Sequence, residues 1–123
     1  MFMLMLVVTA TGCGDNHSGG LTDANFDAMV LQAKQPVMVM FFLPTCPHCQ
    51  RMQQPVDELT REMSAQLEIF KMDVSEYKVQ AIKYGVGGVP TFIMFKGGEN
   101  VATTVGEMPK ADLKSWIEGS LEN

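Results

Sequence analysis

Residues 36–52 read PVMVMFFLPTCPHCQRM: an apolar run, a short Pro-Thr step, then two cysteines separated by two residues. The run has no polar residues at helical spacing and is too short for a buried helix. That is the pattern of a strand covered on both faces. Pro47, directly after Cys46, suits the first turn of a helix, where its missing N–H would have had no partner. A buried strand that delivers a cysteine to the start of a helix is therefore the nucleus of the fold. The pair itself has three readings at this point: a disulfide that switches, a metal clamp, or two buried thiols.

The neighbouring segments can be placed around that nucleus. Residues 21–35 (LTDANFDAMVLQAKQ) predict a helix with Thr22 or Asp23 as N-cap and Phe26, Met29, Val30 and Ala33 on one face. The helix that opens at Cys46 is predicted over 46–66, with a kink at Pro55. LEIFKMDV at 67–74 is a second strand, and YKVQAIKYG at 77–85 a short helix closed by Gly85. PTFIMFKGGENVATTVG at 90–106 reads as a β-hairpin turning at Gly97–Gly98. PKADLKSWIEGSL at 109–121 is a last helix with Leu113, Trp116, Ile117 and Leu121 inward. Helices separate the early strands and a hairpin ends the sheet, so the fold class is α/β, a mixed central sheet sandwiched by helices.

A chain of 123 residues is one domain that can bury a core without disulfide staples. Its net charge of −5, with no basic run, argues against nucleic acid as a partner. Three cysteines do not make a disulfide framework, so each needs its own account. The first, Cys13, ends MFMLMLVVTATGC, an apolar stretch too short to span a bilayer as a mature helix. This stretch fits a secretory leader and resembles a bacterial lipoprotein signal, which makes Cys13 the candidate lipidation site. Ala10 stands where such signals carry a larger aliphatic residue, and no Lys or Arg precedes the apolar run. HSGG at 17–20 reads as a flexible linker, dividing the chain into a leader and linker over 1–20 and a folded domain over 21–123.

Cys-x-x-Cys opening a helix after a buried strand, with GGVPTF at 87–92, resembles thioredoxin. LTDANFD, VMFF, CPHC, KYGVGGVPTFIMFKGG, TTVG and the final helix follow in thioredoxin order. The resemblance implies a thioredoxin fold, with its usual first strand weak or absent here, and thiol–disulfide exchange. It also implies a cis bond before Pro90, with the loop lying against the cysteines. Val89, Thr91, Gly88 and Gly106 then frame a substrate groove, with Gly87 beside it, and Val89 pairs with an extended substrate segment. Protein disulfides are the implied substrates. An upstream thiol reductase or membrane electron donor recharges the pair, no cofactor or metal is held, and the protein acts as a monomer.

Physical chemistry assigns roles within the pair. At a helix start, free backbone N–H groups and the dipole favour an anion, which makes Cys46 the nucleophile and Cys49, one turn in, the resolving thiol. Pro47 fixes the first turn, and His48 is expected to tune the thiolate by donating a hydrogen bond or positive charge. Stabilising the thiolate makes the disulfide a stronger oxidant. Pro-His is the dipeptide of DsbA-type oxidants, whereas thioredoxins carry Gly-Pro.

Other departures from the family are specific. Met40 stands where thioredoxins bury an aspartate, while the lysine paired with that aspartate is kept as Lys71. Lys71 is thus a candidate for proton transfer to Cys49, yet an ammonium without its partner is expected to snorkel to solvent. Thr45 and Phe42 replace tryptophans, and Pro55 falls one position later than the family's helix proline.

The competing readings are a DsbA-like oxidant or isomerase and a metal-binding or metal-delivery module. Cys13, His17, Cys46 and Cys49 would supply a Cys3His ligand count, but one pair lies in the linker. Gln50 after the second cysteine excludes haem attachment. Met29, Met38, Met40, Met72 and Met94 fall in core patterns, as does Trp116. The sequence therefore points to an exported thiol–disulfide oxidoreductase of the bacterial cell envelope, with the cytoplasm as the alternative.

Overall fold

The computed structural model describes residues 20–123. The leader, Cys13, His17 and any strand before Gly20 lie outside them. Four strands, β1 (Val37–Phe42), β2 (Glu68–Asp73), β3 (Thr91–Lys96) and β4 (Glu99–Val105), form one sheet in the order β2-β1-β3-β4. β1 pairs parallel with β2 and antiparallel with β3, and β3 pairs antiparallel with β4. Three helices, α1 (Pro47–Glu62), α2 (Val79–Lys83) and α3 (Lys110–Leu121), complete the α/β arrangement expected.

Strand alternation divides the core in two. From β1, Met38 and Met40 point to one face, and from β3 Phe92 and Met94 join them. There they meet Cys49, Met52, Val56 and Leu59 of α1, and Leu113 and Ile117 of α3. Val37, Val39 and Phe41 point to the other face with Ile93 and Phe95, covered by Leu21, Phe26, Val30 and Ala81. Phe26, Tyr84 and Phe95 stack there, the Tyr84 and Phe95 rings edge-to-face with centroids 5.1 Å apart. β1 is thus buried on both faces, as its unbroken apolar run requires. Pro55 sits inside α1 without ending it, withholding one backbone bond from the carbonyl four residues back.

The segment before β1 differs from the regular helix predicted over 21–35. Thr22 is the cap: its N–H donates to Asn25 Oδ1 at 2.7 Å, while Asn25 N–H donates to Thr22 Oγ1 at 3.2 Å. The following turn widens into a π-helix over Asp27–Leu31, closed by Gln32 N–H on the Asp27 carbonyl at 2.9 Å. Phe26 and Val30 are still buried, so the apolar face survives the change of pitch. The end of this turn abuts the β3–β4 hairpin, where Gly97 and Gly98 both take positive φ. A Cβ on Gly98 would lie 2.9 Å from the Leu31 carbonyl oxygen, a close approach that only glycine permits.

Candidate active site

Cys46 is the N-cap of α1, in extended conformation, with Pro47 at the first helical position. The strand-to-helix connection leaves Cys46 partly exposed and buries Cys49; both are free thiols in this structure. No acidic residue lies in the first turn of α1 to oppose a negative sulfur. The backbone N–H of Cys49 does most to hold Cys46 below the ordinary thiol range, partly opposed by desolvation. The Cys49 thiol, the His48 backbone N–H and the Arg51 charge add smaller contributions in the same direction. Cys49 moves the other way: burial pushes it up, and the hydrogen bond it gives to Cys46 helps to keep its proton in place. One turn of helix therefore holds an accessible thiol inclined to ionise and a shielded one inclined to stay neutral.

The facing rim comes from the segment before β3. The Val89–Pro90 bond is cis. Val89 packs on the same apolar cluster as Cys46 and Cys49. Thr91 Oγ1 donates to the Gly88 carbonyl, and Gly106 N–H donates to the Pro90 carbonyl at 2.8 Å. Gly106 has φ +107°, a left-handed backbone that the turn out of β4 requires. Gly87 and Gly88 are exposed; a Cβ would meet nothing within 4 Å at Gly87 and only the Val105 Cγ1 at 3.6 Å at Gly88. Val105, a large apolar residue left exposed, stands beside them.

The side chains of His48 and Lys71 find partners that the sequence did not name. The His48 imidazole is not what acts on Cys46. Its Nδ1 lies 3.0 Å from Glu107 Oε1 and 3.0 Å from Arg51 Nη2, and only its backbone N–H reaches the sulfur. Lys71 Nζ reaches the surface of α1, donating to Gln53 Oε1 at 2.5 Å and to Oδ1 of the exposed Asp57 at 2.6 Å. Register places Lys71 beside Met40, on the face that α1 covers, so its stem is half-buried and its head meets a carboxylate. The ammonium is not among the groups that act on either cysteine.

Arg51 and Glu107 were not singled out from the sequence. Arg51 Nε donates to both carboxylate oxygens of Glu107, at 2.9 and 2.8 Å, across 56 positions of chain. The readable half of that signal was Arg51 three residues after His48, one helical turn along the same face. Among the described residues no group of three or more His, Cys, Asp and Glu is placed to hold a metal ion.

Comparisons with known proteins agree on one family. The thioredoxin family model matches residues 18–119. Thioredoxin C-2 of Corynebacterium nephridii is 37% identical over 100 residues, covering 81% of this chain and 93% of its own. Thioredoxin 1 of Synechococcus elongatus is 35% identical over 104 residues, covering 85% and 97% respectively. The thioredoxin of Pseudomonas aeruginosa is 33% identical over 105 residues, with the same two shares, 85% and 97%.

Proposed function

Since the chain belongs to the thioredoxin family and is a thiol–disulfide oxidoreductase acting on protein disulfides, we propose that it works as a reductase of the bacterial cell envelope. The observation that carries the reductase mechanism is the asymmetry of the two thiols. The Cys46 thiolate attacks a substrate disulfide, one substrate sulfur leaves as a thiolate, and a mixed disulfide forms. Cys49 then attacks Cys46, giving up its proton. The second substrate sulfur departs, two electrons have passed to the substrate, and Cys46–Cys49 is left oxidised. Val89 and Pro90, on the facing rim, would receive the substrate segment, with Thr91, Gly88 and Gly106 shaping that rim.

An upstream thiol reductase or membrane donor would return the electrons. The envelope assignment rests on the apolar leader and Cys13; among the described residues no helix is long and apolar enough to cross a membrane. Lipid labelling of the full chain, lost on Cys13→Ser, supports an anchored envelope protein. A chain recovered from the cytosol with its leader intact points to the cytoplasmic alternative.

A second reading, an oxidant that donates disulfides, is favoured by Pro47-His48. The equilibrium reduction potential of the pair in Cys13→Ser protein decides between them. A value near thioredoxin's, about −270 mV, supports the reductase, and one nearer DsbA's, about −120 mV, supports the oxidant.

A further inference from the structure

Two contacts converge on one atom, His48 Nδ1: Glu107 Oε1 and Arg51 Nη2, each at 3.0 Å. A guanidinium N–H only donates and a carboxylate only accepts. Nδ1 therefore serves Arg51 with a lone pair or Glu107 with a proton, never both at once. In either state the Glu107 carboxylate keeps its hold on Arg51 Nε through both oxygens. Arg51 and His48 stand on the turn of α1 that carries the cysteines, which has no acid of its own. Glu107 comes from the opposite rim, directly after Gly106, and brings a negative charge to the two groups able to act as cations beside Cys46.

We propose that Glu107 is a positioning residue: by holding Arg51 and His48 on itself it keeps their charge off Cys46 and shifts the Cys46–Cys49 couple toward the reducing side. The inference rests on the thiol–disulfide reading and explains how a Pro-His pair serves a reductase. A cation free to face the thiolate would stabilise the reduced form and make the disulfide more oxidising. Hydrogen bonds from Arg51 first, then His48, hold the Glu107 carboxyl down at about 2, so it is ionised throughout the physiological range. Arg51 in turn contributes least among the groups that act on Cys46.

The test uses the full chain with Cys13→Ser, so that only the pair titrates. It is equilibrated with mixtures of reduced and oxidised glutathione, and thiolate absorbance is followed against pH. Glu107→Gln is expected to raise the oxidising equilibrium constant about threefold, as suits an exposed, solvent-screened charge. Its thiolate is expected to persist to lower pH. Glu107→Asp should stay near wild type, Arg51→Met should move the couple the other way, and the double variant should lose the Glu107→Gln gain. High salt, about 1 M, should shrink the difference. Glu107→Ser serves as a second variant that cannot reproduce the bidentate hold.

An unchanged couple in both Glu107→Gln and Glu107→Ser overturns the proposal. So does a shift to the reducing side, which would mean that Glu107 steadies Arg51 for the thiolate. The wild-type potential, which tests the reductase reading, is a separate measurement; an oxidising wild type with a still more oxidising Glu107→Gln leaves this inference standing.

Discussion

Gly106→Ala tests how the rim facing the cysteines is held, and its cost can be worked out from the structure. A Cβ there would meet nothing within 4 Å, so space is not the issue; the backbone is, at φ +107°. Holding an L-residue in such a region costs roughly 1–3 kcal/mol. If the chain relaxes to escape that strain, it endangers the 2.8 Å bond from Gly106 N–H to the Pro90 carbonyl. Such a bond contributes about 0.5–1.5 kcal/mol. The two routes predict a loss of about 1–2 kcal/mol and, for a domain of this size, a Tm lower by about 5–10 °C. Gly87→Ala is the control, because its φ is ordinary and its surroundings are open. It should leave Tm unchanged or slightly raised through the unfolded chain, yet slow reduction of a protein disulfide if substrate backbone passes over it. Gly106→Ala should lower both. Melts of the oxidised proteins and reduction rates on protein and small disulfides give the comparison. Equal Tm for Gly106→Ala and wild type, or equal losses in the two variants, would refute the reasoning.

Further outcomes test the chemistry of the pair. Cys46→Ser should abolish turnover, whereas Cys49→Ser should still attack and accumulate mixed disulfide; trapping by Cys46→Ser but not by Cys49→Ser reverses the roles. Alkylation of Cys46 should half-saturate below the ordinary thiol value of about 8.5. The sign follows from a depressed folded value: the thiolate's contribution to reduced-state stability is full above the ordinary value and fades, with reactivity, as pH falls through the lowered one. A half-point at or above the ordinary value contradicts this. Lys71→Met should cost no more than about 1 kcal/mol, the scale of a solvent-screened pair, and leave the resolution of mixed disulfide unchanged. A marked slowing of that step would restore Lys71 to proton transfer.

What the sequence could show depended on whether each signal was local. The buried strand before Cys46, the helix start at Pro47 and the Gly97–Gly98 hairpin are written in adjacent residues, and each stands where its pattern put it. The π-helical turn was not legible, because nothing in DAMVL distinguishes a widened helix from a regular one. The partners of Lys71 were not legible for a related reason. Only the packing of α1 over β2 shows that Asp57 and Gln53 reach it. The Arg51–Glu107 pair needs the β3–β4 hairpin to fold back beside α1, a contact that one sequence read alone does not disclose.

The division of labour between the thiols follows from strand parity. Alternation along β1 turns Met40 toward α1, together with Met38, and Cys49 enters that cluster with Met52 and Val56. A thiol among methionine and aliphatic side chains is desolvated, and no cation reaches it, since Lys71 is taken by Asp57. Its polar contacts are the Leu43 backbone N–H, which partly offsets the effect of burial, and Cys46, three residues back at the mouth of the helix, to which it donates a hydrogen bond. The apolar setting that pushes Cys49 up thus also supplies, through that hydrogen bond, part of what draws Cys46 down. A one-residue slip of β1 would put Val39 and Phe41 on the α1 face and send Met40 to the other. The cysteines would still begin a helix, but Cys49 would be packed against different side chains, and the asymmetry on which the proposed exchange rests would have to be rebuilt.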